Sequence, residues 1–356
     1  YSDKGFRTQA IEIFRYLIRE MPTHPKAFDY QYQIVMNQLN SAKDQVFRGE
    51  MFTWIVDYDV NGTWGKANAG NKEALEKSYK LREAALRSYV LQQHQNAQNS
   101  KGQYSQINAR EGYELYLKKF ADSSQSNEMR FYFAELLYDQ KKYQEAGENY
   151  LAIVNSPNKG KFYNESLLNA VLSLEKDLPS DDQLRQRIGN RTERVEFDSK
   201  SDRFVKTANI FISRMPTHEK SVDIKFRTGR LHYMHNHFDE AIVIFKDIVD
   251  KNPNTKSAEF AANLLLDIYN LRGDMAGLEK IGAELLANQN IAATGIGSDI
   301  RGVLEKANFK LAQDFEKKGE FAKSAASFEA FALKNPTSPL YLAAIFNAAI
   351  NYERGN

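Results

Sequence analysis

Three histidines fall within six residues in the segment HYMHNH: His232, His235 and His237, the densest set of metal-ligand side chains in the sequence. His232 and His235 are three apart and would share a helical face, a spacing at which two imidazoles can hold one zinc ion. Against that chemistry, the chain has no Cys, and no Asp or Glu stands at helical spacing inside the cluster, although Asp239 and Glu240 follow. Other catalytic patterns are incomplete. GIGSD, Gly295 to Asp299, lacks the third glycine of a dinucleotide loop and the GK[ST] of a phosphate loop, so it reads as a helix-breaking connector. A GxSxG serine elbow is missing. Asp181 and Asp182 lie in charged text with no apolar setting to raise a carboxylate pKa. The expectation is a chain that is not an enzyme and holds no cofactor and no metal.

Composition narrows the classes further. The 356 residues are 42% hydrophobic and 26% charged with 8 Pro, enough apolar matter for a substantial core and too much for a disordered polymer. With 48 basic against 46 acidic side chains the net charge is +2, which argues against a phosphate-neutralising surface and hence against nucleic acid as a partner. Zero Cys fits a reducing or an oxidising compartment equally. The longest apolar stretch, Tyr341 to Ile350, is well short of the roughly 20 residues that span a bilayer, so no direct membrane span is expected.

What must position these groups is a repeat. Around Ala241, GRLHYMHNHFDEAIVIFKDIVDKNP places Gly229 twelve residues before the alanine, Phe245 four after, Ile248 seven after and Pro253 twelve after. Around Ser324 the offsets return with Ala312, Phe315, Gly319, Phe328, Phe331 and Pro336, and around Ala146 with Ala134, Tyr150 and Ile153, Pro157 standing one residue early. Small residues at the anchor and twelve before it let two helices approach closely. The apolar pair at plus four and plus seven forms one stripe, and the proline stops the second helix. These offsets resemble the tetratricopeptide repeat (TPR), which implies an all-α fold: a TPR-like right-handed superhelical solenoid of antiparallel helix pairs. Half-units follow the second-helix spacing at Ala10, Phe14, Leu17 and Pro22, at Ala109, Tyr113 and Tyr116, and at Phe204, Ala208, Phe211 and Pro216. MPTH recurs at Met21 to His24 and Met215 to His218 and reads as a helix end and turn. Both ends of the chain read as half-hairpins, as if it were cut from a longer array, so that any signal peptide would lie upstream.

Two segments depart from the repeat. Irregular longer helices are expected near residues 40–100, interrupted by the Gly- and Asn-rich loop 59–71 that carries Trp64. Trp64 reads as a plug over the helix pair, with an exposed loop anchor as the alternative. Residues 179–202 are charged and read as an exposed linker or insertion, in which Arg185, Arg187, Arg191 and Arg194 mix with Asp181, Asp182, Glu193 and Glu196 as a solvated surface. The expected organisation is residues 1–125 as divergent TPR-like helices, 126–178 as a TPR unit with a following helix, 179–202 as the linker, and 203–356 as further units.

The order of parts, with FTWIVDYDVNGTWGKANAGNKEAL, then LQQHQNAQ, GYELYLKKFADSS and EMRFYFAELLYDQKKYQEAGENY, resembles the large TPR proteins of deltaproteobacterial cell envelopes, including those tied to gliding motility. The likeness covers residues 1 to about 175. It implies a protein-protein interaction scaffold in an envelope or motility assembly, periplasmic or outer-membrane-associated, with other proteins as partners. The rival expectation is a cytoplasmic adaptor that docks a small GTPase or polarity regulator. A polysaccharide binder using exposed Tyr and Trp is a further one. In a TPR solenoid the first helices line the concave face. Counting from the anchors puts Tyr132, Glu135 and Tyr138 there in one unit, Arg227, Arg230 and Tyr233 in the next, and Gln313 and Lys317 in the last. Arg227 and Arg230 could clasp one carboxylate or phosphate. The Lys and Asn set of the carboxylate clamp in chaperone-binding TPR domains is not repeated.

Overall fold

The computed structural model describes residues 6–39, 44–100, 102–189, 193–293 and 295–355. Among them are 19 helices and no strand, divided between two compact units, residues 1–173 and 174–356. In the first unit, α1 (Arg7–Glu20), α2 (Ala27–Leu39) and α3 (Asp44–Asp57) lead through the short α4 (Thr63–Ala67) into the 29-residue α5 (Lys72–Ser100). Then come α6 (Gln103–Lys119), α7 (Ser126–Asp139), α8 (Tyr143–Val154) and α9 (Tyr163–Lys176), whose last turn crosses into the second unit. The second unit continues with α10 (Asp181–Ile188), α11 (Ser199–Arg214), α12 (Ser221–Met234), α13 (Phe238–Lys251) and α14 (Lys256–Leu271). It closes with α15 (Met275–Ala287), α16 (Gln289–Ala292), α17 (Gly295–Lys317), α18 (Phe321–Lys334) and α19 (Tyr341–Gly355).

Two turn types convert the sequence spacing into antiparallel pairs. Inside a hairpin, Lys141, Asn236, Gly273 and Gly319 adopt φ of 60°, 58°, 66° and 77°. After each, the next N–H reaches the carbonyl five residues back: Lys142 to Leu137, His237 to His232, Asp274 to Tyr269 and Glu320 to Phe315. This left-handed closure satisfies the orphan carbonyls of the first helix and reverses the chain. Between hairpins a second turn recurs. Met21, Phe120, Met215, Asn252 and Asn335 end their helices with an N–H bonded four residues back, and each accepts from the residue three further on. In the two MPTH segments that residue is His24 or His218, whose Nδ1 accepts the N–H of Lys26 or Lys220 at 3.1 Å. Ser123 and Ser338 do the same with their hydroxyls, at 3.2 Å. The MPTH histidines are therefore turn caps.

The anchors Ala146, Ala241 and Ser324 are all at 0% exposure. Ser324 fits because its hydroxyl donates to the carbonyl of Ala312 at 2.8 Å. A Cβ on Gly229 would meet the Phe245 ring at 2.7 Å, so the close approach of α12 and α13 requires glycine there. Phe245, Tyr150 and Phe328, four beyond the anchors, are fully buried beside them.

Four features differ from the sequence expectation. The pair α14 and α15 is a further hairpin with the same closure, in which buried Leu278 stands where the other pairs have a small anchor. GIGSD is not a connector but the first turn of α17; Gly297 lies where a Cβ would be 2.3 Å from the carbonyl oxygen of Ala292, so its glycine serves close backbone approach. The linker 179–202 contains α10, started by a capping box between Ser180 and Gln183 and held down by buried Leu184 and Ile188. Within loop 59–71 sits the unexpected α4, and its Trp64 is 3% exposed, which agrees with the plug reading and rules out the alternative of an exposed loop anchor. Its Nε1 donates to the carbonyl of His24 at 2.9 Å, and its ring lies 5.2 Å from Phe28 and 5.6 Å from Tyr58. The same carbonyl also accepts the N–H of Ala27, so the indole is pinned to the α1–α2 turn.

Candidate functional site

The first-helix side chains singled out by counting are largely engaged within the chain. On α7, Tyr132 is half-buried and donates to Glu128 at 3.2 Å, Glu135 accepts from Tyr150 and from Asn169, and Tyr138 meets the edge of Tyr143 at 5.1 Å. Burial raises the Glu135 carboxyl above its usual range, opposed by the Tyr150 hydroxyl. On α12, Tyr233 donates to Asp267, which together with burial raises its phenol well above 10. On α17, Gln313 is half-buried, and Lys317 is exposed and 3.5 Å from Asp314.

Arg227 and Arg230 do share one face, and that face is already met by acids. Arg227 pairs with Glu175 and Arg230 with Asp181, the first residue of α10. Glu175, Pro179, Asp181, Leu184, Leu231 and Met234 surround the two arginines in a cavity of about 180 Å³. Burial lowers the Arg227 pKa, and the neighbouring Arg230 adds to that. The segment read as a solvated linker thus supplies one of the two carboxylates this arginine pair clasps, Asp181, and α9 supplies the other, Glu175. Within it, Arg187 pairs with Asp198 at 2.7 Å and Arg194 with Glu240 at 2.6 Å, while Arg191 lies outside the described residues.

A groove that the repeat register did not flag lies in the first unit. Tyr32, Met36 and Leu39 of α2, Phe47 and Met51 of α3, and Tyr89 of α5 line about 580 Å³, together with the polar Ser88, Gln92 and Gln93. Its chemistry suits apolar side chains, since methionine and aromatic walls adapt to varied shapes. The available signal was two methionines and three aromatics between residues 32 and 52 that serve no anchor position.

The histidine segment folds differently from the pairing its spacing suggested. Asn236 turns the chain at φ 58°, so His235 closes α12 and His237 opens α13. His232, His237 and Glu240 each bring one ligand atom within 4.8 Å of the other two; His235 is not in that set. The extended residues ahead of α11 run beside them. Val195 N–H donates to the carbonyl of His235 at 2.9 Å, and the Val195 carbonyl accepts from Nε2 of His237 at 2.9 Å. Phe197 meets all three rings edge-on or tilted, its centroid 5.1 Å from His232, 4.8 Å from His235 and 4.5 Å from His237. Burial, then the nearby His237, pushes the His232 pKa from 6.5 down to about 4 against the pull of Glu240. Burial also lowers His235. Glu240 was seen only as following the cluster, and Phe197 was missed, because the set forms across a turn and from a segment read as linker. The readable hint was His237 and Glu240 three apart at the start of one helix.

Residues 223–255 match the tetratricopeptide repeat family. They span α12, α13 and the turn after them, the hairpin in which the repeat spacing is most complete. No curated protein matches the sequence. Among solved structures, a tetratricopeptide repeat protein from Parabacteroides merdae is 12% identical and aligns over 74% of this chain and 99% of its own, with a TM-score of 0.35. The apo form of RapI is 13% identical over 98% of this chain and 99% of its own, with a TM-score of 0.28. Yeast Tom70 is 14% identical over 100% of this chain and 87% of its own, with a TM-score of 0.20.

Proposed function

We propose that this chain is a non-enzymatic scaffold that binds other proteins along the first-helix faces of its repeats, within a bacterial cell-envelope or gliding-motility assembly. The observation that carries the scaffold reading is the recurrence of one hairpin. Lys141, Asn236 and Gly319 turn the chain at the same distance before the fully buried anchors Ala146, Ala241 and Ser324, and residues 223–255 match the repeat family. A stack of such pairs buries one stripe of each helix and leaves the other to solvent, a long surface suited to polypeptide partners. The envelope placement, periplasmic or outer-membrane-associated, is supported by the sequence resemblance of residues 1 to about 175. No helix among the described residues is long and apolar enough to cross a membrane.

The test is in-cell crosslinking of the parent protein in its native host, followed by affinity capture and mass spectrometry. Exported envelope or motility proteins are the expected catch. Recovery of a cytoplasmic small GTPase or polarity regulator instead would replace the envelope assignment with a cytoplasmic adaptor, and recovery of no protein partner would contradict the scaffold itself.

A further inference from the structure

We propose that His232, His237 and Glu240 form a binding site for one divalent late transition metal, zinc being the first candidate, at the turn between α12 and α13. This goes beyond the scaffold reading and stands or falls separately from it. The three ligand atoms lie within 4.8 Å of one another. Zinc bonded at about 2.0–2.2 Å to nitrogen and oxygen brings its ligands to roughly 3.4 Å apart, so the set needs to close by about an ångström, within reach of small side-chain rotations.

The tautomer of His237 is fixed by its partner. A carbonyl can only accept, so Nε2 of His237 carries the proton it gives to Val195, and Nδ1 holds a bare lone pair. That Nδ1 is buried without a hydrogen-bond partner, in a residue 2% exposed. A ligating histidine whose other nitrogen donates to a backbone carbonyl is the usual outer-shell arrangement around a bound metal. Nδ1 of His232 is buried without a partner as well. Two such groups side by side are costly to leave unfilled, and a single cation resolves both.

Glu240 supplies the negative charge. It stands three residues after His237 on the first turn of α13, and one carboxylate oxygen is held by Arg194 at 2.6 Å. Arg194 is the cation paired with Glu240, and it is 53% exposed, so water is open to it when a metal takes up the carboxylate charge. Phe197 closes the apolar side. Two imidazoles and a carboxylate suit zinc, cobalt, nickel or copper and not the all-oxygen preference of calcium or magnesium. A metal here joins the end of α12 to the start of α13 and, through Val195 and Arg194, fixes residues 193–198 against the hairpin.

The test uses the full 356-residue chain, stripped with chelator and titrated with zinc by calorimetry, with cobalt absorption as a readout of coordination. One zinc per chain is expected, with a rise in melting temperature. His232→Gln and Glu240→Gln are each expected to weaken binding at least tenfold, while His24→Gln and His218→Gln, at the turn caps, leave it unchanged. Absence of stoichiometric binding, or affinity unaltered in both site variants, overturns the proposal. Should a variant lose its helical circular dichroism, the ring-nitrogen NMR shifts of the wild-type chain decide. Movement of the His232 and His237 signals on adding zinc supports the site, and movement only at other histidines refutes it.

Discussion

The segment from Trp54 to Arg82 in the first unit and the segment from Ser180 to Glu240 in the second both interrupt or border regular hairpins, and they resolve their polar groups in opposite ways. In the first, the large donors end on backbone carbonyls. Trp54 donates to Phe28 at 3.0 Å, Trp64 to His24 at 2.9 Å, Ser78 to Tyr58 at 3.3 Å and Arg82 to Ile55 at 2.7 Å. Burial lowers even the Arg82 guanidinium to about 10, partly offset by Asp59, yet its contacts hold it in place. In the second, three imidazoles converge under one phenylalanine, and each keeps a buried nitrogen with no partner. A departure that satisfies its polar groups internally is structure. One that leaves buried ring nitrogens without partners is where the proposed cation would sit.

Both tryptophans belong to the first unit, so tryptophan emission follows that unit while circular dichroism follows both, and this separates the two regions experimentally. The largest effect is expected from Ala241→Glu. A charge forced into a contact at 0% exposure costs roughly 5 kcal/mol or more, so the dichroism transition should drop far more than the emission transition. Equal displacement of both would erase the contrast between the units. Trp64→Ala removes a side chain buried among Phe28 and Tyr58 and should cost about 3–5 kcal/mol in urea unfolding monitored at Trp54. A cost below about 1 kcal/mol, within the range of surface changes, would contradict the plug reading of Trp64.

Acid provides a smaller lever. The folded chain holds the His232 pKa near 4 whereas the unfolded chain titrates near 6.5, so between those values the unfolded state binds the extra proton and stability falls as pH drops. His94 in the first unit is also lowered by burial, so both units lose stability in acid. His232→Gln should remove on the order of 1 to 2 kcal/mol of that loss from the dichroism-monitored transition and none from the emission-monitored one. An unchanged acid profile would detach His232 from the second unit's behaviour. Smallest is Lys141→Gly. Lys141 holds φ 60° where the equivalent hairpins use Asn236 and Gly319, and glycine should stabilise the first unit by about 0.5 kcal/mol. Destabilisation in a thermal melt would show that the Lys141 side chain matters more than its backbone.

Much of the fold was legible because the repeat writes packing into spacing. Ala146, Ala241 and Ser324 were readable as contacts since only small residues fit there, and the apolar stripes behind them fill the interior. The pair α14 and α15 escaped because Leu278 occupies the small-residue slot, and only Gly273 five residues earlier marks the turn. Residues 181–188 looked like linker because only Leu184 and Ile188 are large and apolar, although Ser180 and Gln183 carry the capping box openly. Candidate contact residues were less legible. Counting places Arg227 and Arg230 on one face but cannot say that Glu175 and Asp181 come back to meet them, and the His237 to Glu240 spacing gains meaning only once the turn at Asn236 folds His232 beside it.

The claim that partners bind along first-helix faces is tested most directly by site-specific photo-crosslinking in the native host. A crosslinker placed at Gln313 or Lys317 on α17 is compared with one at Val243 on α13, 68% exposed, or Leu333 on α18, 78% exposed, both on second helices. The account predicts that a defined protein partner is trapped from the α17 positions and not from Val243 or Leu333. The same partner trapped from the second-helix positions alone would contradict it.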